Sequence, residues 1–156
     1  MAIFLKYAAV KGDVTSDGHK DWIAISSFQW GIGRGIASSQ GSQLNRQASG
    51  ASVSEITVTK NLDNSSPGLL QDLFKGILKN DVVIDWTEVT DNSVFFSIAT
   101  NNTGLAGYSF SSGGDRPSES LSLNFTKIAI TNTVTDPQGA KTPTTVTYDV
   151  GLEKLV

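Results

Sequence analysis

The chain has 156 residues, a length that fits one domain with a sizeable core, so we expect a single domain over residues 1–156. Cysteine is absent, which excludes disulfides, thiolate catalysis and cysteine-ligated zinc. The net charge is −3 and the 12 lysines and arginines form no basic run, which argues against nucleic acid or an anionic membrane as a partner.

Residues 3–10 are apolar and predict a first strand, which Gly12 and Asp13 end. This stretch is short and carries Lys6 in its middle, so it lacks the pattern of a secretory signal peptide. Nor does any apolar run approach the roughly 20 residues of a membrane-spanning helix. If the protein leaves the cell, we therefore expect a route other than the classical signal.

The second predicted strand spans residues 21–31 and changes parity part-way. Ile23 and Ile25 share one face, whereas Phe28 and Trp30 share the other. The change falls at the two serines between these pairs. It predicts a bulge at that point, or burial of both faces of the strand.

Residues 31–50 differ in kind, because they are rich in glycine, serine and glutamine and poor in large aliphatic side chains. We predict a long mobile loop here. Three alternating glycines at 31–35 superficially resemble a phosphate-binding loop, but the Lys-Ser/Thr end and a following helix are missing. Structureless loops of this length are uncommon in compact domains and are usually functional or disordered.

One convincing helix is predicted over residues 67–79. Ser66 is a suitable N-cap, and Pro67 occupies the first helical position, where its missing N–H has no consequence. Apolar residues then recur at helical spacing, and we expect this stripe to pack on the sheet with Leu73 near its centre. The stripe consists of Leu69, Leu70, Leu73, Phe74, Ile77 and Leu78.

The remainder of the chain alternates between apolar and polar residues, as half-buried strands do. Further strands are predicted over residues 52–60, 81–89, 94–98, 105–111, 119–130 and 144–150. The intervening turns or loops are predicted at residues 91–93, 101–104, 112–117 and 136–139. About eight strands with regular turns and one helix favour a mainly β fold, an antiparallel β-barrel with one flanking α-helix.

No constellation of residues predicts catalysis. His19, the only histidine, lies in a polar turn beside Asp17 and Asp21, so we predict a surface histidine rather than a catalytic base. The three tryptophans lie inside strand patterns and predict core packing rather than sugar stacking. Because no carboxylate pair, metal cluster or cofactor motif stands out, the sequence predicts neither an enzyme nor a cofactor.

Three blocks, taken in order along almost the whole chain, resemble the Hcp family, the haemolysin-coregulated tube proteins of bacterial type VI secretion. The blocks are WIAISSFQWG at 22–31, VSEITVTK at 53–60 followed by Asp63 and Ser66-Pro67, and ESLSLNFTKI at 119–128 followed by Tyr148-Asp149. The resemblance implies a β-barrel with one flanking helix, in agreement with the periodicity.

The resemblance also implies a structural role. Hcp protomers form hexameric rings that stack into a hollow tube, which a contractile sheath expels behind a VgrG-type spike, and small effector proteins can travel in the lumen. The protein is then expected in the bacterial cytoplasm before assembly and outside the cell after secretion. The alternative that remains open is a monomeric β-barrel binding module for a peptide or a sugar.

Two sets of candidate site residues follow from combining the role with the strand pattern. Gln29 lies between two core-facing aromatic residues, so alternation points it the other way, and we predict that it faces the ring lumen. The predicted loop over residues 31–50 is too polar to be buried in a barrel, and we expect it to order between stacked rings. Its candidate contact residues are Gly33, Arg34, Gly35, Gln40, Gln43 and Arg46.

Overall fold

This computed structural model describes residues 1–37 and 47–156, over which the chain forms twelve strands and one helix. The strands before the helix are β1 (Ala2–Tyr7), β2 (Ile23–Ile25), β3 (Ser27–Gln29), β4 (Ile32–Ala37), β5 (Gln47–Val53) and β6 (Ile56–Asn61). The helix is α1 (Ser66–Lys75). The strands after it are β7 (Asn80–Thr87), β8 (Val94–Ser111), β9 (Ser118–Asn124), β10 (Lys127–Thr135), β11 (Lys141–Asp149) and β12 (Lys154–Leu155). Among the described residues, no helix has the length and apolarity needed to cross a membrane.

Ten of the twelve strands form two hydrogen-bonded ladders that share β8, and β4 and β5 form a separate two-stranded sheet. One ladder runs in the order β12-β11-β10-β8-β7-β1-β2, and the other runs β3-β6-β9-β8. Their pairings are antiparallel, which confirms the predicted antiparallel β fold with one flanking helix. Hydrogen bonds do not close the barrel completely, because β2 and β3 are joined by the chain at Ser26 rather than paired with each other.

Ser26 is the residue at which the second predicted strand changes partners. Before it, β2 pairs with β1, and after it, β3 pairs with β6. The N–H of Ser26 already donates to the carbonyl of Thr59 on β6 at 2.7 Å. Phe28 packs edge-to-face on Trp86, with ring centroids 4.9 Å apart. The predicted change of parity is therefore confirmed, and it marks a strand that passes from one ladder to the other.

The core lies between the two ladders and beneath the helix. Alternate residues of the paired strands point into it, as the period of two requires. Its fully buried aliphatic members include Leu5, Ile23, Ile56, Val58, Leu69, Ile84, Leu121 and Leu123. Trp86 is buried with them, which confirms the predicted core role for that tryptophan.

The helix begins one residue earlier than predicted and without the predicted cap. Ser65 is at the N-cap position, and its side chain makes no capping hydrogen bond. The hydroxyl of Ser66 donates instead to the carboxylate of Glu119 on β9 at 2.5 Å. The sequence pattern suggested a cap because serine hydroxyls commonly bond the first turn of a helix. Here the Ser66 hydroxyl is used instead as a donor to the buried Glu119 carboxylate.

The helix also ends earlier, at Gly76 rather than at residue 79. Gly76 has φ 67, and its N–H bonds to the carbonyls of Asp72 and Leu73. Glycine adopts this left-handed conformation without a Cβ clash, so Gly76 is the residue that terminates the helix. Residues 77–79 therefore leave the helical axis.

The apolar stripe is consequently buried only in its first part. Leu69 is completely buried and Leu73 partly buried, whereas Phe74 is 85% exposed. Ile77 and Leu78 follow the end of the helix and are also exposed. Part of the predicted helix–sheet contact is thus a free apolar surface.

Twelve strands form instead of about eight, because two predicted strands each divide, two others merge, and β4, β5 and β12 were not predicted. The turn predicted at residues 101–104 is absent, since β8 continues through Asn102, which has φ 49 and allows the bend. Conversely, the strand predicted over residues 119–130 divides into β9 and β10 at the buried Phe125. The turn predicted at residues 136–139 and the flexible loop at residues 112–117 lie outside strands, as expected.

Candidate functional site

The most prominent projection from the fold is a hairpin formed by β4 and β5. Among the described residues, these two strands pair only with each other. Every residue of β4 is exposed. The pairing sets Arg34 opposite Ala51 and then shifts in register before Ile36. The loop predicted over residues 31–50 was therefore wrong where the chain is described, because both arms are strands.

The first three candidate contact residues, Gly33, Arg34 and Gly35, lie in β4. The Gly35 N–H donates to Ser49 Oγ at 3.0 Å, and the same hydroxyl donates to the Gly35 carbonyl at 3.1 Å. Sequence reasoning missed these strands because glycine and serine are poor strand formers and show no apolar alternation. Outside the described residues lie the other three candidates, Gln40, Gln43 and Arg46.

Hydrogen bonds fix the base of the hairpin to the barrel. The Ser54 hydroxyl donates to the Gly31 carbonyl at 2.8 Å and accepts from the Gly31 N–H at 3.0 Å. Trp30 Nε1 donates to the Ser54 carbonyl at 3.0 Å. Because both chain ends of the hairpin are tied together here, its direction relative to β3 and β6 is set at the base.

An apolar cleft lies between the base of the hairpin and strands β10, β11 and β12. Ile32, Val146 and Leu155 contribute to it although each is exposed. Exposed apolar residues gathered in one place are typical of protein contact sites. The main lining residues are Trp30, Ile32, Val53, Ile130, Val146 and Leu155.

Gln29 is the last residue of β3 and is exposed. Phe28, beside it, turns toward the core and contacts Trp86. The opposite orientation of Gln29 and Phe28 agrees with strand alternation. Gln29 lies next to Glu55 and Thr57 at the edge of a shallow polar cleft. Its position in a lumen depends on the assembly and stays a prediction.

Sequence comparison matches residues 4–131 to the family described as type VI secretion system effector, Hcp. The chain belongs to the Hcp family. It is therefore a structural tube subunit of a bacterial type VI secretion system, and it belongs to a family of secreted proteins. A comparison with curated proteins finds no match.

Solved structures share the fold over nearly the full Hcp chain. A type six secretion system protein is 23% identical, with 99% of each chain covered and a TM-score of 0.87. Hcp1 from Salmonella typhimurium is 22% identical, with 99% and 98% covered and a TM-score of 0.80. A type VI secretion system effector from Yersinia pestis is 21% identical, with 95% and 99% covered and a TM-score of 0.72.

A buried polar cluster attaches the helix of this Hcp protein to the barrel. Lys60 and Glu119 stand directly opposite each other on β6 and β9, and Lys60 Nζ lies 3.3 Å from Glu119 Oε1. The same Nζ lies 3.0 Å from Asp63 Oδ1 and donates to Ser66 Oγ at 3.1 Å. The Tyr108 hydroxyl donates to Glu119 Oε2. The side chains of Lys60 and Glu119 are both fully buried, so hydrogen bonds within the protein must replace the ones that water makes to these groups in the unfolded chain.

Sequence reasoning did not identify this cluster, although a signal was present. Lys60 has the same parity as the inward Ile56 and Val58, and Glu119 has the same parity as the inward Leu121. Opposite charges on inward positions of two strands are consistent with a buried pair once the strands are known to be neighbours. The sequence does not reveal that pairing.

Tyr108 makes the cluster sensitive to alkali. Burial, and then the hydrogen bond to Glu119 and its charge, raise the pKa of Tyr108 from 10.0 to about 12. Because the pKa of Tyr108 is higher in the folded than in the unfolded protein, the protonated phenol stabilises the fold at pH values below 10.0. This contribution is lost as the pH rises from 10.0 to about 12. Between these limits, the urea midpoint of the wild type should fall more steeply than that of Tyr108→Phe. Equal slopes for the two proteins would contradict this expectation. Tyr7, whose pKa is also raised by burial and by Asp72, is present in both proteins.

His19 is buried, so the predicted surface histidine was wrong. Its Nε2 lies 3.0 Å from Asp85 Oδ2, and the other carboxylate oxygen of Asp85 accepts from the Ser97 hydroxyl at 2.6 Å. The imidazole packs between Phe4 and Trp22, with ring centroids 4.9 Å and 4.6 Å away. These contacts attach the polar segment between β1 and β2 to the barrel. They arise from distant parts of the chain, which a local turn pattern does not report.

Proposed function

We propose that this Hcp chain folds as one domain over residues 1–156 and forms hexameric rings, and that the hairpin of β4 and β5 orders the contact between stacked rings. The observation that carries the proposal is a hairpin with an exposed β4 that pairs only with β5 in the described part of the chain. An isolated two-stranded hairpin is at best marginally stable in water. A second surface that covers the hairpin would supply the missing stabilisation.

The surroundings of the hairpin support the same role. Its base adjoins the apolar cleft at β10, β11 and β12, and Phe74 leaves a second apolar surface at the helix. In a ring, each subunit contacts its two neighbours through two different, complementary surfaces, and the rotation that relates neighbouring subunits closes the ring. Stacking of rings needs a further pair of complementary surfaces. A protomer with several separate exposed contact surfaces meets that requirement better than a monomeric binding module with one concave site.

Family membership and strand geometry support the finer features that we propose for this role. Gln29 faces the lumen, where small effector proteins travel. The tube meets a VgrG-type spike and is surrounded by a contractile sheath. The protein assembles in the bacterial cytoplasm, is then expelled, and performs no catalysis.

Native mass spectrometry of the purified protein tests ring formation. A hexameric species at micromolar concentration is the expected result. A strict monomer at high concentration would contradict the ring and favour the monomeric module for a peptide or a sugar.

Shortening the hairpin tests its role between rings. A brief linker joining Gly33 to Gly50 should leave rings intact, because core packing and the bonds at Ser54 are retained. Stacked tubes and secretion should be lost, as measured by electron microscopy and by the protein found in culture supernatant. Removing Gly113 and Gly114 from the exposed loop between β8 and β9 is the matched control and should stack normally. Intact stacking by the shortened protein would show that the hairpin is dispensable.

Labelling at position 29 tests the lumen assignment. The chain has no cysteine, so Gln29→Cys introduces a single reactive thiol. Small thiol reagents should modify it at similar rates in the protomer and in the assembled ring. Val58→Cys, at a completely buried position, is the protected reference. Protection of position 29 on ring assembly would place Gln29 in a subunit contact instead.

A further inference from the structure

A cleft of about 430 Å³ lies between the turn that follows β1 and the C-terminal part of α1. We call it the lysine cleft, after Lys11 and Lys75 on its rim. Both lysines are exposed, and neither forms an ion pair within residues 1–37 and 47–156. Val10 and Ile77 contribute apolar surface to the same cleft.

The floor of the lysine cleft is already hydrogen-bonded. Tyr7, completely buried, donates its hydroxyl to Asp72 Oδ2 at 2.5 Å, and Asn80 Nδ2 donates to the same oxygen at 3.1 Å. The carboxylate of Asp72 is thus engaged below the surface. At the surface, a docking partner meets the charges of the two rim lysines and the neutral side-chain amide of Gln71.

A turn of opposite charge follows β7, and we call residues 88–93 the acidic turn. It carries Glu88 and Asp91, and between them Val89 is 78% exposed. The Glu88 N–H donates to the Ser93 carbonyl at 2.9 Å, and the Ser93 N–H donates to Asp91 Oδ1 at 3.0 Å. The turn is therefore held in one shape before it meets any partner.

The negative charge of Asp91 is favoured by its surroundings. Hydrogen bonds from Ser93 lower the pKa of Asp91, and Lys141 on β11 lowers it further without forming an ion pair. Glu88 likewise has no ion pair in the described part of the chain. Two carboxylates beside an exposed valine thus complement a cleft that carries two lysines and the apolar side chains of Val10 and Ile77.

The lysine cleft and the acidic turn lie at opposite ends of the same strands. Asn80, at the start of β7, lines the cleft, whereas the turn begins directly after Thr87 at the other end. The antiparallel strand β1 runs between the same two ends, since Tyr7 pairs with Val82 near the cleft and Ala2 pairs with Thr87 near the turn. A strand of this length separates the two surfaces by about 23 Å. One copy cannot join them to each other, so their contact must be head-to-tail between copies.

We infer that the acidic turn of one copy docks into the lysine cleft of a second copy, with Glu88 and Asp91 meeting Lys11 and Lys75 around Val89. The hairpin leaves the barrel at the same end as the acidic turn, because Phe28 next to the end of β3 contacts Trp86 next to the end of β7. The contact therefore belongs to the junction between stacked rings. The inference rests on the proposed stacking and names the surface that receives the next ring.

Charge reversal on each side tests the pairing. The first variant carries Glu88→Lys and Asp91→Lys, the second carries Lys11→Glu and Lys75→Glu, and the third carries all four changes. Each one-sided variant should weaken ring–ring association at least about tenfold, because each charge pair recurs around the ring. The third variant should recover association to within about threefold of wild type, since both surfaces are again complementary. Sedimentation velocity and tube length in electron micrographs measure the association.

The control reverses two exposed cations elsewhere, with Arg116→Glu and Lys154→Glu, and should stack as wild type. If reversal disrupts the turn itself, Glu88→Gln with Asp91→Asn removes the charges and keeps the side-chain shapes. Native mass spectrometry confirms that each variant still forms rings.

Normal stacking by the one-sided variants overturns the inference, and so does a four-change variant that forms rings but does not stack. In either case, the variant with the shortened hairpin tests separately whether the hairpin is needed for stacking. The charge pairing can therefore be wrong while the proposed role of the hairpin remains correct. Recovery only upon addition of another protein of the secretion system would assign the lysine cleft to that partner and would equally overturn the contact between copies.

Discussion

Replacing Lys60 with alanine should lower the free energy of unfolding by about 3–5 kcal/mol. The Lys60 ammonium lies between Glu119 and Asp63 and is completely buried. Its removal leaves the Glu119 carboxylate buried, and within residues 1–37 and 47–156 its remaining side-chain donors are the hydroxyls of Ser66 and Tyr108. An uncompensated buried charge is among the most destabilising changes a single substitution makes.

Chemical denaturation of the variant beside wild type measures the effect. Lys154→Ala, at an exposed lysine, is the matched control and should change stability by less than about 0.5 kcal/mol. Replacing both partners, with Lys60→Met and Glu119→Leu, should restore much of the lost stability because no charge is then buried alone. A Lys60→Ala variant as stable as its control would mean that water reaches the pair.

Leu69→Ala should destabilise the fold by about 2–5 kcal/mol, the range for a truncated core leucine. Leu69 is completely buried and belongs to the main core cluster, whereas Leu73, the centre of the predicted stripe, is only partly buried. Truncation removes apolar contacts and leaves a cavity under the helix, which the two ladders are too rigid to fill.

Phe74→Ala is the control for the helix, because it removes a larger side chain that is 85% exposed. It should change the stability of the isolated protomer by less than about 0.5 kcal/mol. Denaturant midpoints measured below the concentration of ring assembly compare the two variants. A Leu69→Ala effect below about 1 kcal/mol would contradict burial of the helix on the barrel.

Strand positions could be predicted where one face is buried. The alternation of β7 and β9 appears directly in the residues, because half-buried strands need every second side chain to be apolar. The same rule predicted that Gln29 and Phe28 point in opposite directions, which the structure has. The change of parity at Ser26 was visible for the same reason, although the pattern did not reveal that β1 and β6 are the two partners.

The hairpin of β4 and β5 could not be predicted from residue alternation. Strands β4 and β5 are exposed glycine-rich segments, so no core selects alternation in them and the sequence resembles a loop. The conformation assigned to this part of the chain was therefore wrong, and its role in ring contacts stays a prediction. The lysine cleft was not predicted, because it depends on which segments lie together in the fold. A turn was predicted at residues 91–93, but its place opposite the lysine cleft depends on how the strands pair.

The sequence by itself determined the antiparallel β class, the single helix and the family, because periodicity and ordered motifs are local properties of the chain. Only the tertiary structure decided that His19 is buried against Asp85, and that Lys60 is paired with Glu119. It also decided that Phe74 faces outward. Burial is a property of neighbours brought together by folding, and residues far apart in sequence supply those neighbours.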